Sequence, residues 1–135
     1  MPPHYVSLDS DKVYMREGPT YENRILWVYH RKGLPLLETA EFDVWRRVSD
    51  PDGTVGWVHS SMISNNRTVL VTSKQPAALR AHEEPNSPIL ALAQPGVIAK
   101  LKACGPQACQ VSTGGAEGWV DKKNIWGVNA GDVFH

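Results

Sequence analysis

Long apolar runs are missing from this 135-residue chain: although 41% of its residues are hydrophobic, no stretch approaches the roughly 20 apolar residues a helix needs to cross a bilayer. No helical membrane span is expected. Net charge is missing too, since 14 basic residues face 14 acidic ones. Seven basic and nine acidic residues lie up to Asn66, and seven and five after it, so neither half carries the basic stripe that phosphate binding needs. Nucleic acid is not expected as a partner. Helical periodicity is absent over any useful length. The opening Met1-Pro2-Pro3-His4 has neither a positively charged segment nor an apolar stretch, so any secretory signal is read as removed or never present.

Catalytic and metal-binding patterns are equally scarce. The five histidines (4, 30, 59, 82 and 135) are dispersed, and none lies at ligand spacing from the two cysteines, so neither a metal nor another cofactor is expected. No Ser/His/Asp or Cys/His set has a workable spacing, and Ser60-Ser61 lacks the strand-turn-helix context of an acyl-transfer nucleophile. An enzyme would need convergent titratable groups, for which only His59 and neighbouring acids are on offer. No catalytic residue is assigned.

What the chain does have is an internal duplication. Gly56-Trp57-Val58 recurs as Gly118-Trp119-Val120, Met15-Arg16 as Leu79-Arg80, Gly33 as Gly96, Val48 as Val111 and Ile63 as Ile125, at offsets of 62 to 64. Each half is then a unit of roughly 60 residues, small for a core and typical of a compact β-barrel module. Short Val-, Leu-, Ile-, Trp- and Thr-rich runs such as Trp45-Arg46-Arg47-Val48 and Thr54-Val55-Gly56-Trp57-Val58 are separated by Gly, Pro, Asp and Asn. The Asp52-Gly53 and Gly114-Gly115 pairs supply the positive φ of tight hairpins. The expected fold is all-β: two tandem small barrels of five to six strands, with single-turn helices only near Ser60-Ile63 and Lys122-Ile125. Residues 5–66 form the first barrel, 67–127 the second, and 128–135 a tail ordered mostly near Trp126. Arg67-Thr72 reads as a strand that pairs with one or both barrels.

The order Met-Arg-Glu-Gly-Pro (15–19), Gly33 before a strand, Trp45 three residues before Val48, an Asp-Gly turn, then Gly-Trp-Val-His-Ser-Ser-Met-Ile (56–63) resembles a bacterial Src-homology-3-like (SH3-like) domain. Residues 79–125 resemble a second, more divergent copy. The pairing of such a copy with one containing a close cysteine pair is similar to secreted tandem proteins of alphaproteobacterial type. In peptide-binding members of the wider fold, a tryptophan and a Pro-x-x-Tyr segment build an aromatic groove. The resemblance places Trp45 at the first position and His59 and Met62 at the Pro and Tyr positions. A thioether for a rigid aromatic wall argues against proline-rich ligands.

The candidate groove therefore comprises Trp45, His59 and Met62, framed by Tyr21 and Glu22 from the first long loop and by Glu41, Phe42 and Asp43 from the second. Aromatic faces beside carboxylates suit a sugar, an amine-bearing peptide or an arginine side chain. Two readings of Trp45 stand side by side: an open ligand platform, or a ring that covers one barrel end while Phe42 fills the core. In the second copy the same offsets give Ala108, Asp121 and Asn124, and eight of the eleven aromatic residues lie in the first half. Recognition is assigned to the first barrel, stabilisation to the second.

Cys104 and Cys109 bracket Gly105-Pro106-Gln107-Ala108 between two predicted strands, which brings the sulfurs together as a hairpin closes. A disulfide is the favoured reading, with two free structural thiols the alternative. It points to an oxidising compartment, the periplasm or cell exterior. The function expected is a non-catalytic binding or scaffold module of the cell envelope that takes a cell-wall peptide or glycan, or an envelope protein. The rivals are an intracellular interaction adaptor and an enzyme accessory domain.

Overall fold

Fourteen short strands and two single 3-10 turns make up the regular structure of residues 2–135, the part of the chain that this computed structural model describes. The strands fall into two units, Met1–Asn66 and Arg67–His135. The first contains β1 (His4–Leu8), β2 (Val13–Arg16), β3 (Ile25–Tyr29), β4 (Pro35–Phe42), β5 (Trp45–Ser49), β6 (Val55–His59) and β7 (Ile63–Ser64). The second repeats the series as β8 (Thr68–Val71), β9 (Ala77–Arg80), β10 (Ile89–Ala93), β11 (Ile98–Cys104), β12 (Ala108–Thr113), β13 (Ala116–Asp121) and β14 (Ile125–Trp126). The strand orders are β3-β2-β6-β5-β4-β1-β7 and β10-β9-β13-β12-β11-β8-β14, so the topology is duplicated along with the sequence.

Alternation along the strands decides what enters each core. In β2, Val13 and Met15 are buried while Tyr14 between them is exposed, and in β9 Ala77 and Leu79 take the inward positions. Val6, Leu8, Leu36, Val48, Val58 and Tyr29 complete the first core. The second core has Val69, Val71, Val111 and Val120 in matching places, but alanine at 77, 93 and 99. A fully buried Val or Leu side chain contributes about 1.5–3 kcal/mol, so these alanines make the second core the poorer one. The 3-10 turns, Ser60–Met62 and Lys122–Asn124, fall where the sequence places single-turn helices, each capped at its start by a side chain, His59 or Asp121.

A buried hydrogen bond fixes the β5–β6 turn. The Tyr29 hydroxyl donates to Asp50 Oδ2 at 2.8 Å, while Asp50 Oδ1 accepts the N–H groups of Asp52 and Thr54, both at 2.9 Å. Burial, and then the bond to Asp50, push the Tyr29 hydroxyl far above its ordinary value of 10.0. It stays a neutral donor. Close approach explains the repeated glycine of the Gly-Trp-Val triplets. A Cβ on Gly56 would lie 2.8 Å from the Arg16 carbonyl oxygen, and one on Gly118 would lie 2.9 Å from Leu79 Cβ. The tryptophans beside them, Trp57 and Trp119, are only half-buried.

Two expectations are corrected here and one is borne out. Each unit has seven strands rather than five or six, because two-residue strands too short to show alternation, β7 and β14, close the ends through pairs such as Leu8↔Ile63 and Ile125↔Val71. The Arg67-Thr72 segment pairs with one barrel, as expected: as β8 it joins β11 and β14 inside the second unit. The tail is held well beyond Trp126. Phe134 exchanges backbone hydrogen bonds of 2.7 and 2.8 Å with Cys104 and packs on the second core, because the end of β11 offers backbone groups that the hairpin leaves over. Lys122 Nζ adds bonds to the carbonyls of Ala130 and Asp132. No helix of the described residues is long and apolar enough to cross a membrane.

Candidate functional site

In the first unit, the start of β5 and the end of β6 set Trp45 and His59 opposite each other in register. Tyr21, from the loop between β2 and β3, completes an aromatic trio. Its ring stands edge-on to Trp45, centroids 4.9 Å apart, and stacks on His59 at 5.8 Å; Trp45 and His59 are 5.4 Å apart. Arg16 shapes that loop by donating from Nη1 to the carbonyls of Tyr21 at 2.9 Å and Asn23 at 3.1 Å, with its guanidinium 5.4 Å from the Tyr21 ring centre. The arginine recurs because the loop recurs: Arg80 Nη1 donates to the Ser87 carbonyl at 2.7 Å.

His59 has two tasks. Its Nδ1 accepts the Ser61 N–H at 3.1 Å and lies 2.8 Å from Ser61 Oγ, so the ring is fixed from both the turn and the aromatic side. The β4–β5 hairpin is tied to the same turn by Ser60 N–H donating to the Val44 carbonyl at 2.8 Å. Loop, hairpin and turn thus converge on one end of the barrel.

The open-platform reading of Trp45 is not what the structure shows. Trp45 is 5% exposed, covered by Tyr21 and flanked by His59, whereas Tyr21 is 67% exposed. The aromatic surface is real, but Tyr21 presents it. Met62 is half-buried and props the first core instead of forming a wall. Phe42, expected in the core under the alternative reading, is 60% exposed because it flanks the two-residue hairpin turn. Asp43 supplies that turn's positive φ of 54° and accepts from Arg46 Nη1 at 2.8 Å through its carbonyl. Glu41 is 3.7 Å from Arg46, its register partner, and so serves the hairpin. Glu22 lies exposed beside Tyr21 on the loop, its N–H bonded to Thr20 Oγ1. Among the described residues no group of three His, Cys, Asp or Glu side chains could hold a metal ion.

The cysteines do form a disulfide, Cys104–Cys109, across directly paired residues of β11 and β12. What the sequence hides is the consequence of Ala108. It pairs with Asp121 in the register that Trp45 and His59 occupy in the first unit, and it lines a cavity of about 240 Å3. Far from lacking chemistry, this end of the second unit gathers Arg80, Glu83, Gln107 and Trp119. Only the register match of Ala108 to a bulky residue could have signalled it.

A small, wholly antiparallel sheet closed by a 3-10 turn, with a long loop and a hairpin meeting at that turn, defines the SH3-like class of barrel. The family model for the bacterial SH3 domain matches twice, over residues 9–65 and 73–127, and the chain belongs to that family. Bacterial SH3 domains are binding modules. Among solved structures, the chain is similar to NlpC2 from Trichomonas vaginalis, with 6% identity and a TM-score of 0.41 over 92% of this chain and 48% of that one. It is also similar to NlpC1 from the same organism, with 8% identity and a TM-score of 0.42 over 93% and 46%. The chain spans about half the length of those structures. No curated protein matches it.

Proposed function

We propose that this chain is a non-catalytic binding module of the bacterial cell envelope, taking a cell-wall peptide or glycan, or an envelope protein, at the loop end of its first barrel (residues 5–66). The carrying observation is the exposed Tyr21 ring mounted on buried Trp45 and stacked with His59. A rigid ring already seated on its neighbours loses little freedom on meeting a ligand, and its face suits a sugar ring or a cationic side chain. The disulfide supports a periplasmic or extracellular setting, where such bonds persist.

The experiment is retention of the full chain on isolated peptidoglycan and, in parallel, capture from envelope extract. Tyr21→Ala loses the ring contacts to Trp45 and His59 but no core side chain, so it is expected to lower the melting temperature slightly and leave the chain folded while weakening retention by a factor consistent with about 1–3 kcal/mol. Unchanged retention of a folded Tyr21→Ala variant on both materials defeats the assignment.

A further inference from the structure

We propose that the cavity of the second unit is a separate binding site for a dipolar ligand of amino-acid size, a free amino acid or the charged end of a short peptide. The two barrels share one register, and at its most conspicuous position the first has a buried Trp45 where the second has Ala108. Ala108 lines a cavity of about 240 Å3. That lies below the roughly 300–1,000 Å3 of drug-sized ligand pockets, so the site takes one small unit and not a polymer segment.

The lining specifies the chemistry. Two cations, Arg80 and Lys123, are matched by two carboxylates, Glu83 and Asp121. Asp121 is engaged with its own neighbour, through the Lys123 N–H at 3.0 Å and the Lys123 ammonium at 3.6 Å. Arg80 and Glu83 retain capacity. Arg80 uses Nη1 on the Ser87 carbonyl, which leaves its other guanidinium N–H groups for a carboxylate. Glu83 Oε2 accepts the backbone N–H of Gln107 at 3.5 Å, which leaves Oε1 for an ammonium group. Ala108, Ala78 and the Trp119 indole supply the apolar floor on which the body of the ligand rests. A neutral pairing of this kind rejects a polyanion or polycation and rewards a molecule carrying one charge of each sign.

The acid lies against the stapled hairpin. Gly105 follows Cys104, and any Cβ there would collide with the Glu83 carboxylate, so that carboxylate rests directly on the stapled hairpin. This site stands on the second unit alone and does not depend on the first-unit reading.

The test is NMR titration of the full-length chain with alanine, alanyl-alanine, N-acetylalanine, alaninamide, doubly blocked alanine and N-acetylglucosamine. Alanine or alanyl-alanine is expected to shift the signals of Ala108, Gln107 and the Trp119 indole, with a dissociation constant of about 1 mM or below. Blocking either charge should weaken binding by about tenfold or more, and Arg80→Gln should do the same, as expected for loss of a charge-assisted hydrogen bond. Ala108→Trp, which restores the indole, should abolish the shifts. Well-dispersed second-unit signals establish that each variant is folded; should Ala108→Trp not fold, Arg80→Gln and the blocked ligands decide alone. The proposal is overturned if no free amino acid or dipeptide shifts these signals at about 10 mM, far above that constant. It is likewise overturned if N-acetylalanine, alaninamide or N-acetylglucosamine binds as well as alanine, or if folded Arg80→Gln or Ala108→Trp binds like the unaltered chain.

Discussion

In the first unit β4 and β5 pair Glu38 with Val48, Ala40 with Arg47 and Glu41 with Arg46; in the second, β11 and β12 pair Leu101 with Val111, Ala103 with Gln110 and Cys104 with Cys109. The register is the same, including a bulge between the first and second pairs of each set. The side chains are not. Where one hairpin is closed by the Glu41–Arg46 ion pair, the other is closed by a disulfide, and a residue pair further on Trp45 gives way to Ala108. Main-chain pairing here depends on alternation and turn geometry, both of which survive such exchanges. Filling of the barrel end depends on single side chains. One scaffold therefore carries a plugged end with an aromatic surface and an open end with a polar cavity.

The strongest way to break that contrast is to unplug the first unit. Trp45→Ala removes a ring that is buried against Tyr21 and His59 and should destabilise the first unit by about 3–5 kcal/mol. Urea unfolding followed by NMR signals of each unit would show it; a loss of less than about 1 kcal/mol would mean that the indole is no plug at all. Opening the disulfide comes next. The chain-entropy relation gives about 2 kcal/mol for so short a loop, and the cost should fall on the second unit alone. Unfolding with and without reductant checks this, and an equal loss in both units would count against a staple confined to the second.

The smallest effect sharpens the comparison of the cores. Tyr29→Phe should cost the first unit about 1 to 1.5 kcal/mol through loss of the bond to Asp50. The pH dependence has a definite sign. Because the folded-state value of Tyr29 is raised, the stabilisation is complete below the unfolded value of 10.0. Above it the unfolded chain releases a proton that the folded chain keeps, so first-unit stability should fall by about 1.4 kcal/mol per pH unit. All four tyrosines lie in the first half, so the second unit should show no such decline. Alkaline unfolding curves of the two units that superimpose would contradict this account.

The duplication, the all-β class and the two single-turn helices were legible because landmarks such as Gly56-Trp57-Val58 report strand and turn geometry, which is local. The disulfide was legible for the same reason, since Cys104 and Cys109 flank one hairpin. The exposure of Trp45 was not. It depends on Tyr21, 24 residues earlier in a loop whose path is set by Arg16 bonds to its carbonyls, and nothing in strand periodicity encodes that path. The cavity was hidden because an alanine reads as missing chemistry in a linear comparison and as open space in a folded one. The hold on the tail by Phe134 was not legible, because a single bridging residue has no pattern in sequence.

The exchange of Glu41–Arg46 for Cys104–Cys109 at one register position also separates what each half answers to in its surroundings. An ion pair 3.7 Å apart with a half-exposed acid weakens as mobile ions accumulate around it, but is indifferent to electron donors. A disulfide behaves the other way round: salinity does not touch it, whereas a thiol-rich medium can open it. Salt should thus loosen the β4–β5 hairpin slightly and leave the β11–β12 hairpin alone, and a reductant that reaches the buried Cys104–Cys109 bridge should do the reverse.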